Sequence, residues 1–291
     1  MAGISDYIMR QLMAGQRQQA EAESVAREAN GPAVQDQLER GQPFPPDQAA
    51  SQQVDPRIDY IAKGLAMVEV RPEEKYQIFV SVLPQIIEAF LAIDRKDFVI
   101  PENQNEAYLN TPLSIGFSQT ISQPLTVAFM LELLQPKIGD VVLDIGSGSG
   151  WTSALLSYLV SDGGKNKQGK VIAIERILEL KEFGEKNTAK YNFVEKNIIK
   201  FFCADGSRDI LKISQQLDLK EGFDKILCSA TLEQMPQEWI DLLKTGGKIV
   251  APFPGEIQLW VKQDKNTFKK EFFKGFSFVP LISDDKESSC F

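Results

Sequence analysis

The chain has 291 residues, of which 43% are hydrophobic and 25% charged, with a formal net charge of −8. Such a composition fits one large globular domain, or one domain with an appendage, and the acidic balance argues against a long phosphate-contacting surface. The chain has no histidine, which excludes Ser-His-Asp triads, Cys-His dyads and most zinc hydrolase sites.

Residues 1–55 are rich in glutamine and alanine and lack lysine. Ile4 to about Ala29 could form a helix, but its apolar stripe is brief, and Gly31-Pro32 and Pro43–Pro46 break the chain beyond it. The expectation is a poorly ordered tail with transient helix. From residue 56 the pattern turns helical, over 56–68 and 73–92, with Pro84 expected to kink the second helix. These N-terminal helices, residues 56–100, are expected to pack on a core domain over 101–291. After Pro136, short apolar strands alternate with helices: Val141–Asp144, then Thr152–Leu159; Val171–Glu175, then Leu178–Tyr191; Ile199–Cys203; Lys225–Ser229, then Gln237–Leu243; and Lys248–Pro252. That rhythm predicts an α/β fold, a doubly wound and mostly parallel sheet covered on both faces. At the end, Ile257–Val261 and Phe276–Leu281 read as an antiparallel hairpin turning at Gln263–Thr267. No apolar run is long enough to span a bilayer, no secretory signal is visible, and Cys203, Cys228 and Cys290 show no paired spacing. The expectation is a reduced, cytoplasmic protein without metal, membrane or nucleic-acid partner, and a monomer.

The strand Val141–Ile145 runs straight into Gly146-Ser147-Gly148-Ser149-Gly150 and a helix. Glycines there let backbone approach a ligand beyond the strand's carboxyl end. A glycine-rich loop alone also fits dinucleotide enzymes. Three acids narrow it. Asp144 precedes the loop and suits a cationic amino-acid ligand while repelling a pyrophosphate. Glu175 ends the next strand, where a carboxylate can accept from both ribose hydroxyls. Asp205, in Ala204-Asp205-Gly206, can accept from an exocyclic adenine amine. For any one of these acids the competing role is a helix cap. Together they point to S-adenosyl-L-methionine.

Several segments then resemble the protein-L-isoaspartate (D-aspartate) O-methyltransferases, a class I, Rossmann-like methyltransferase family. They are Arg95–Val99 with Pro101, Ala107–Gly116, Ser118–Pro124, Asp144–Gly150, Ile174–Arg176, Ala204–Gly206, Leu243–Gly247 and Phe278–Leu281, in order over roughly 80–285. Thr120-Ile121-Ser122-Gln123-Pro124 is far more specific than the glycine loop. The resemblance implies transfer of a methyl group to the α-carboxylate of isoaspartyl residues in damaged proteins. The ester then collapses to a succinimide, which begins repair. A carboxylate is ionised at neutral pH and needs no base, so the missing histidine is no obstacle.

By the same resemblance Ser122 is the active-site serine, donating a hydrogen bond that orients the acceptor; a helix N-cap is its competing role. Gln119, Thr120 and Ile121 would wall the cofactor, Gly146, Ser147, Gly148 and Gly150 hold its methionine part, Glu175 its ribose, and Asp205 and Gly206 its adenine side, with Arg176 also among the cofactor-binding residues. The chain departs from the family at Trp151, at Ser229–Pro236, at Ala251–Gly255 and at Ile282. The last three lie near the expected peptide side and leave room for two other readings: a carboxyl methyltransferase dedicated to one partner protein or peptide, and a non-catalytic adaptor.

Overall fold

A computed structural model describes residues 83–165, 168–265 and 267–282. The expected tail over 1–55 and the helix over 56–68 lie outside the described residues. The described elements run in this order: helix α1 (Leu83–Ala92), 3-10 turns at Arg95–Phe98 and Pro101–Glu106, strands β1 (Leu113–Gly116) and β2 (Gln119–Ile121), α2 (Pro124–Leu134), β3 (Val141–Ile145), α3 (Trp151–Ser161), β4 (Lys170–Glu175), α4 (Leu178–Ala189), β5 (Ile199–Cys203), α5 (Ile210–Gln216), β6 (Phe223–Cys228), α6 (Gln237–Leu242), β7 (Leu243–Phe253), β8 (Glu256–Lys262) and β9 (Phe268–Lys274).

Seven strands form one sheet in the order β5-β4-β3-β6-β7-β8-β9, and β1 with β2 form a separate hairpin. β5, β4, β3, β6 and β7 are parallel, as the alternation of strand and helix requires. Side chains alternate across the sheet. Val142, Val171, Ala173, Phe201, Leu227 and Val250 face one core with Phe90, Leu131, Trp151 and Leu155. Leu143, Ile172, Ile174, Ile226 and Ile249 face a second core with Ile210, Ile213 and Trp239. The two cores are why β3, β4 and β6 read as unbroken apolar runs.

The C-terminal hairpin is a correction. β8 pairs with β9, antiparallel from Glu256↔Lys274 to Lys262↔Phe268. The second strand is therefore Phe268–Lys274, not Phe276–Leu281. A short turn after Lys262 brings Phe268 directly back beside it, and all seven residues of Phe268–Lys274 then pair in register with β8. Residues 276–281 are β-prone but Pro280 offers no N–H to a ladder. They form instead one parallel bridge, Thr231↔Pro280. Helices α2 and α5 were also not anticipated: α2 is buried nearly all round, so it has no polar face to mark its period. Cys228 is free and buried. No described helix is long and apolar enough to cross a membrane.

Candidate active site

In the parallel sheet, β3 leads outward to β4 on one side and pairs with β6 on the other. That reversal opens a crevice at the carboxyl ends of the strands, the usual ligand site of such sheets. One pocket occupies it. Its walls include Gln119, Thr120, Ile121 and Ser122 on one side, Gly146, Ser147 and Gly148 with Glu175 and Arg176 on another, and Gly206. Ten of the predicted site residues are thus brought together. Asp144, Gly150 and Asp205 are not on the wall.

Glu175 has the most telling geometry. Its Oε2 accepts from Gly148 N at 2.9 Å, and its Oε1 accepts from Arg176 N at 2.8 Å and Ile177 N at 3.0 Å. The carboxylate ties the end of β4 to the glycine loop, and with three of its four lone-pair sites occupied it keeps one, on Oε2, for a ligand's hydroxyl. Burial raises its pKa, against those three backbone donors. The loop's own amides are largely used within the protein. Gly146 N and Ser147 N both donate to Ile174 O, and Gly150 N to Ser147 O. A loop that cradles phosphate must leave such N–H groups free, so this one is poorly built for a pyrophosphate.

Asp144 is completely buried one residue behind the wall. Ser153 Oγ donates to its Oδ2 at 2.5 Å, while Oδ1 has no hydrogen-bond partner. Burial, with a further push from the charge of Glu175, raises its pKa to about 7. Ser147 Oγ and Trp151 Nε1, both of pocket residues, are likewise buried without hydrogen-bond partners. Unmet polar groups on two wall residues, with a carboxylate oxygen one residue behind the wall, are what a polar ligand would satisfy. Two acids and a hydroxyl suit a cationic amino acid with a nucleoside.

Gly150 serves packing. Its φ is +88°, and a Cβ there would lie 2.7 Å from Gly184 O, so it lets α3 start hard against α4. Asp205 also turns inward. Its Oδ1 accepts from Ser207 N at 2.9 Å and Ser207 Oγ at 2.6 Å, and Arg208 Nε lies 3.4 Å from Oδ2. Its Oδ1 thus closes its own turn, while the N-cap of α5 is Asp209 and the buried Oδ2 has no hydrogen-bond partner; its neighbours Ala204 and Gly206 carry the wall. Trp239 Nε1 donates to Gly206 O at 2.8 Å and fixes that turn.

Ser122 lies between β2 and α2. The N-cap of α2 is Gln123, so the competing capping role of Ser122 falls away. The hairpin before it turns through Phe117 and Ser118, with φ of 53° and 56°, the mirror-type turn that suits strand twist. On the opposite rim, Val279–Ile282 line the pocket with Ser229 and Ala230. Thr231 fastens this strap, its N donating to Val279 O at 2.8 Å, its Oγ1 to Phe278 O at 3.1 Å, and its O accepting from Leu281 N at 2.8 Å. Of the departures, Trp151, Ser229 and Ile282 reach the pocket, whereas Phe253 packs against the second core. Sequence reasoning missed Ile115, Thr152 and Ile177, whose positions on the wall depend on loop curvature that no periodicity records.

The family model described as protein-L-isoaspartate(D-aspartate) O-methyltransferase matches residues 70–286. The chain belongs to this family. Among curated methyltransferases of the family, that of Staphylothermus marinus is 33% identical over 204 residues, covering 69% of this chain and 87% of the relative. That of Methanococcus aeolicus is 38% identical over 200 residues, covering 68% and 85%. A Plasmodium falciparum structure described as a protein-L-isoaspartate O-methyltransferase, in complex with S-adenosyl-L-homocysteine, superposes with a TM-score of 0.63 at 22% identity. It covers 76% of this chain and 98% of that one, and supports the fold. The chain is a methyltransferase of this family, with the class I Rossmann-like sheet and its antiparallel edge.

Proposed function

We propose that the pocket binds S-adenosyl-L-methionine and aligns it with the α-carboxylate of an isoaspartyl residue presented by a protein or peptide. The observation that carries this reading is the juxtaposition of Ser122 with the Glu175-tied glycine loop across one pocket. The cofactor supplies an electrophilic sulfonium methyl. Asp144, behind the loop, offers a buried carboxylate to the cationic methionine end. Glu175 would accept from a ribose hydroxyl, and Ala204 and Gly206, their turn held by Asp205, would flank the adenine.

Ser122 donates a hydrogen bond to one oxygen of the acceptor carboxylate and leaves the other to attack in line. Ile115, Ile121, Val279 and Leu281 exclude water around the reacting atoms. No side chain needs to remove a proton, because the acceptor is ionised well below neutral pH. The contribution of the protein is alignment. Residues 1–55 form an appendage to this machinery and 101–291 its body.

A methyl-transfer assay comparing an isoaspartyl peptide with its aspartyl twin tests the reading. Transfer to the isoaspartyl peptide alone is expected. Equal transfer to both, or none to either, would overturn it. A dedicated partner loses one of its supports, since Phe253 lies away from the pocket. Ile282 keeps some room for it, as a half-exposed apolar side chain on the acceptor side.

A further inference from the structure

Arg95 is not on the pocket wall, yet it holds two pieces of the wall together. Its guanidinium is 2% exposed. Nη1 donates to Ala107 O at 2.7 Å and, at 3.5 Å, toward Leu109 O. Nη2 donates to Thr111 O at 3.1 Å and to Ser122 O at 3.1 Å. The same group lies over the Trp151 ring, 5.3 Å from its centroid. Trp151 opens α3 directly after the glycine loop and lines the pocket, as Ser122 does. One buried, planar cation thus spans the acceptor side and the cofactor side. Asn110 adds a tether from the same loop, its Oδ1 accepting from Leu125 N in the first turn of α2 at 3.0 Å.

We infer that Arg95 is a positioning residue for methyl transfer: it sets the gap between Ser122 and the cofactor loop by clamping the Ser122 carbonyl against Trp151. The inference rests on the role proposed above for Ser122. Its chemistry is that of the fork. Arginine directs several donors in one plane while its face stacks on an aromatic ring; lysine, a compact point charge, cannot do both. A fixed gap matters because the reaction needs oxygen, methyl carbon and sulfur in line, where small displacements cost much rate.

The test uses the full chain. Arg95→Lys is assayed on an isoaspartyl peptide, with S-adenosyl-L-homocysteine affinity measured by calorimetry. kcat is expected to fall about 10- to 100-fold, while the affinity stays within about threefold of the parent. In a Ser122→Ala background the same substitution is expected to cost about twofold or less, because the two residues act as one unit. An unchanged kcat, a parallel loss of kcat and affinity, or the same penalty in both backgrounds would overturn the clamp. Ser122→Ala alone reports on the hydroxyl, so failure of that reading shows in the single variant. Should Arg95→Lys not fold, Asn110→Ala decides: a lowered kcat with intact cofactor affinity supports the clamp, and an unaltered kcat removes it.

Discussion

At the scale of single residues the site works through carboxylates and one hydroxyl. Ser122→Ala should lower kcat about 10-fold or more with S-adenosyl-L-homocysteine affinity nearly unchanged, measured by initial rates and calorimetry; an unaltered kcat would remove the hydroxyl from the mechanism. Gly206 has no room for a side chain, since a Cβ would lie 2.5 Å from Ile145 Cγ2. Gly206→Ala should therefore push the turn and weaken cofactor binding, visible as a raised dissociation constant. Asp144 makes a pH prediction. Its folded pKa, about 7, lies above the ordinary 3.8, so the stability it contributes is complete below the unfolded value and is lost as pH rises through about 7. A cationic ligand favours the carboxylate, so binding should take off a proton and tighten between about pH 6 and about pH 8. Calorimetry in buffers of different ionisation enthalpy reads that proton; a pH-independent affinity would refute the contact. Asp144 and Glu175 were legible in the sequence because strand ends are fixed by apolar runs. Asp205 was legible as the acid just past the third strand, but its bonds to Ser207 and its ion pair with Arg208 were not, because both partners are local and polar.

At the scale of elements, the strands and helices from β3 to β7 were readable because each buries a face and carries its period openly. α2 was not. Its Glu132 is 4% exposed among apolar neighbours, and neither carboxylate oxygen has a hydrogen-bond partner. Burial raises its pKa to about 7, against the pull of Lys248. Glu132 is thus neutral at low pH and costly to ionise above neutrality. Glu132→Gln should raise the melting temperature by about 2–4 °C at pH near 8 and by less at pH near 5, followed by circular dichroism. A larger gain at the acidic pH would contradict the sign. The misplaced last strand has a physical cause of the same kind: Phe268–Lys274 and Phe276–Leu281 are both β-prone, and only the length of the connection from Lys262 selects between them.

At the scale of the whole molecule, the sheet reversal beside β3 places the cofactor loop, the hairpin before Ser122 and the strap at Val279–Ile282 around one crevice. No wall residue is a histidine, and the proposed acceptor brings its own charge. At saturating cofactor, kcat should therefore be flat from about pH 6 to about pH 9, in stopped-time assays of methyl transfer. A limb rising near neutrality would reveal a base.

The strap has a consequence for the order in which the catalyst comes into being. Ser122 and the glycine loop precede it by well over a hundred positions, and its bridge and hydrogen bonds to Thr231 hold it against the crevice. Folding during synthesis proceeds from the leading end, so the cofactor side of the crevice can take shape before the strap arrives to complete the other rim.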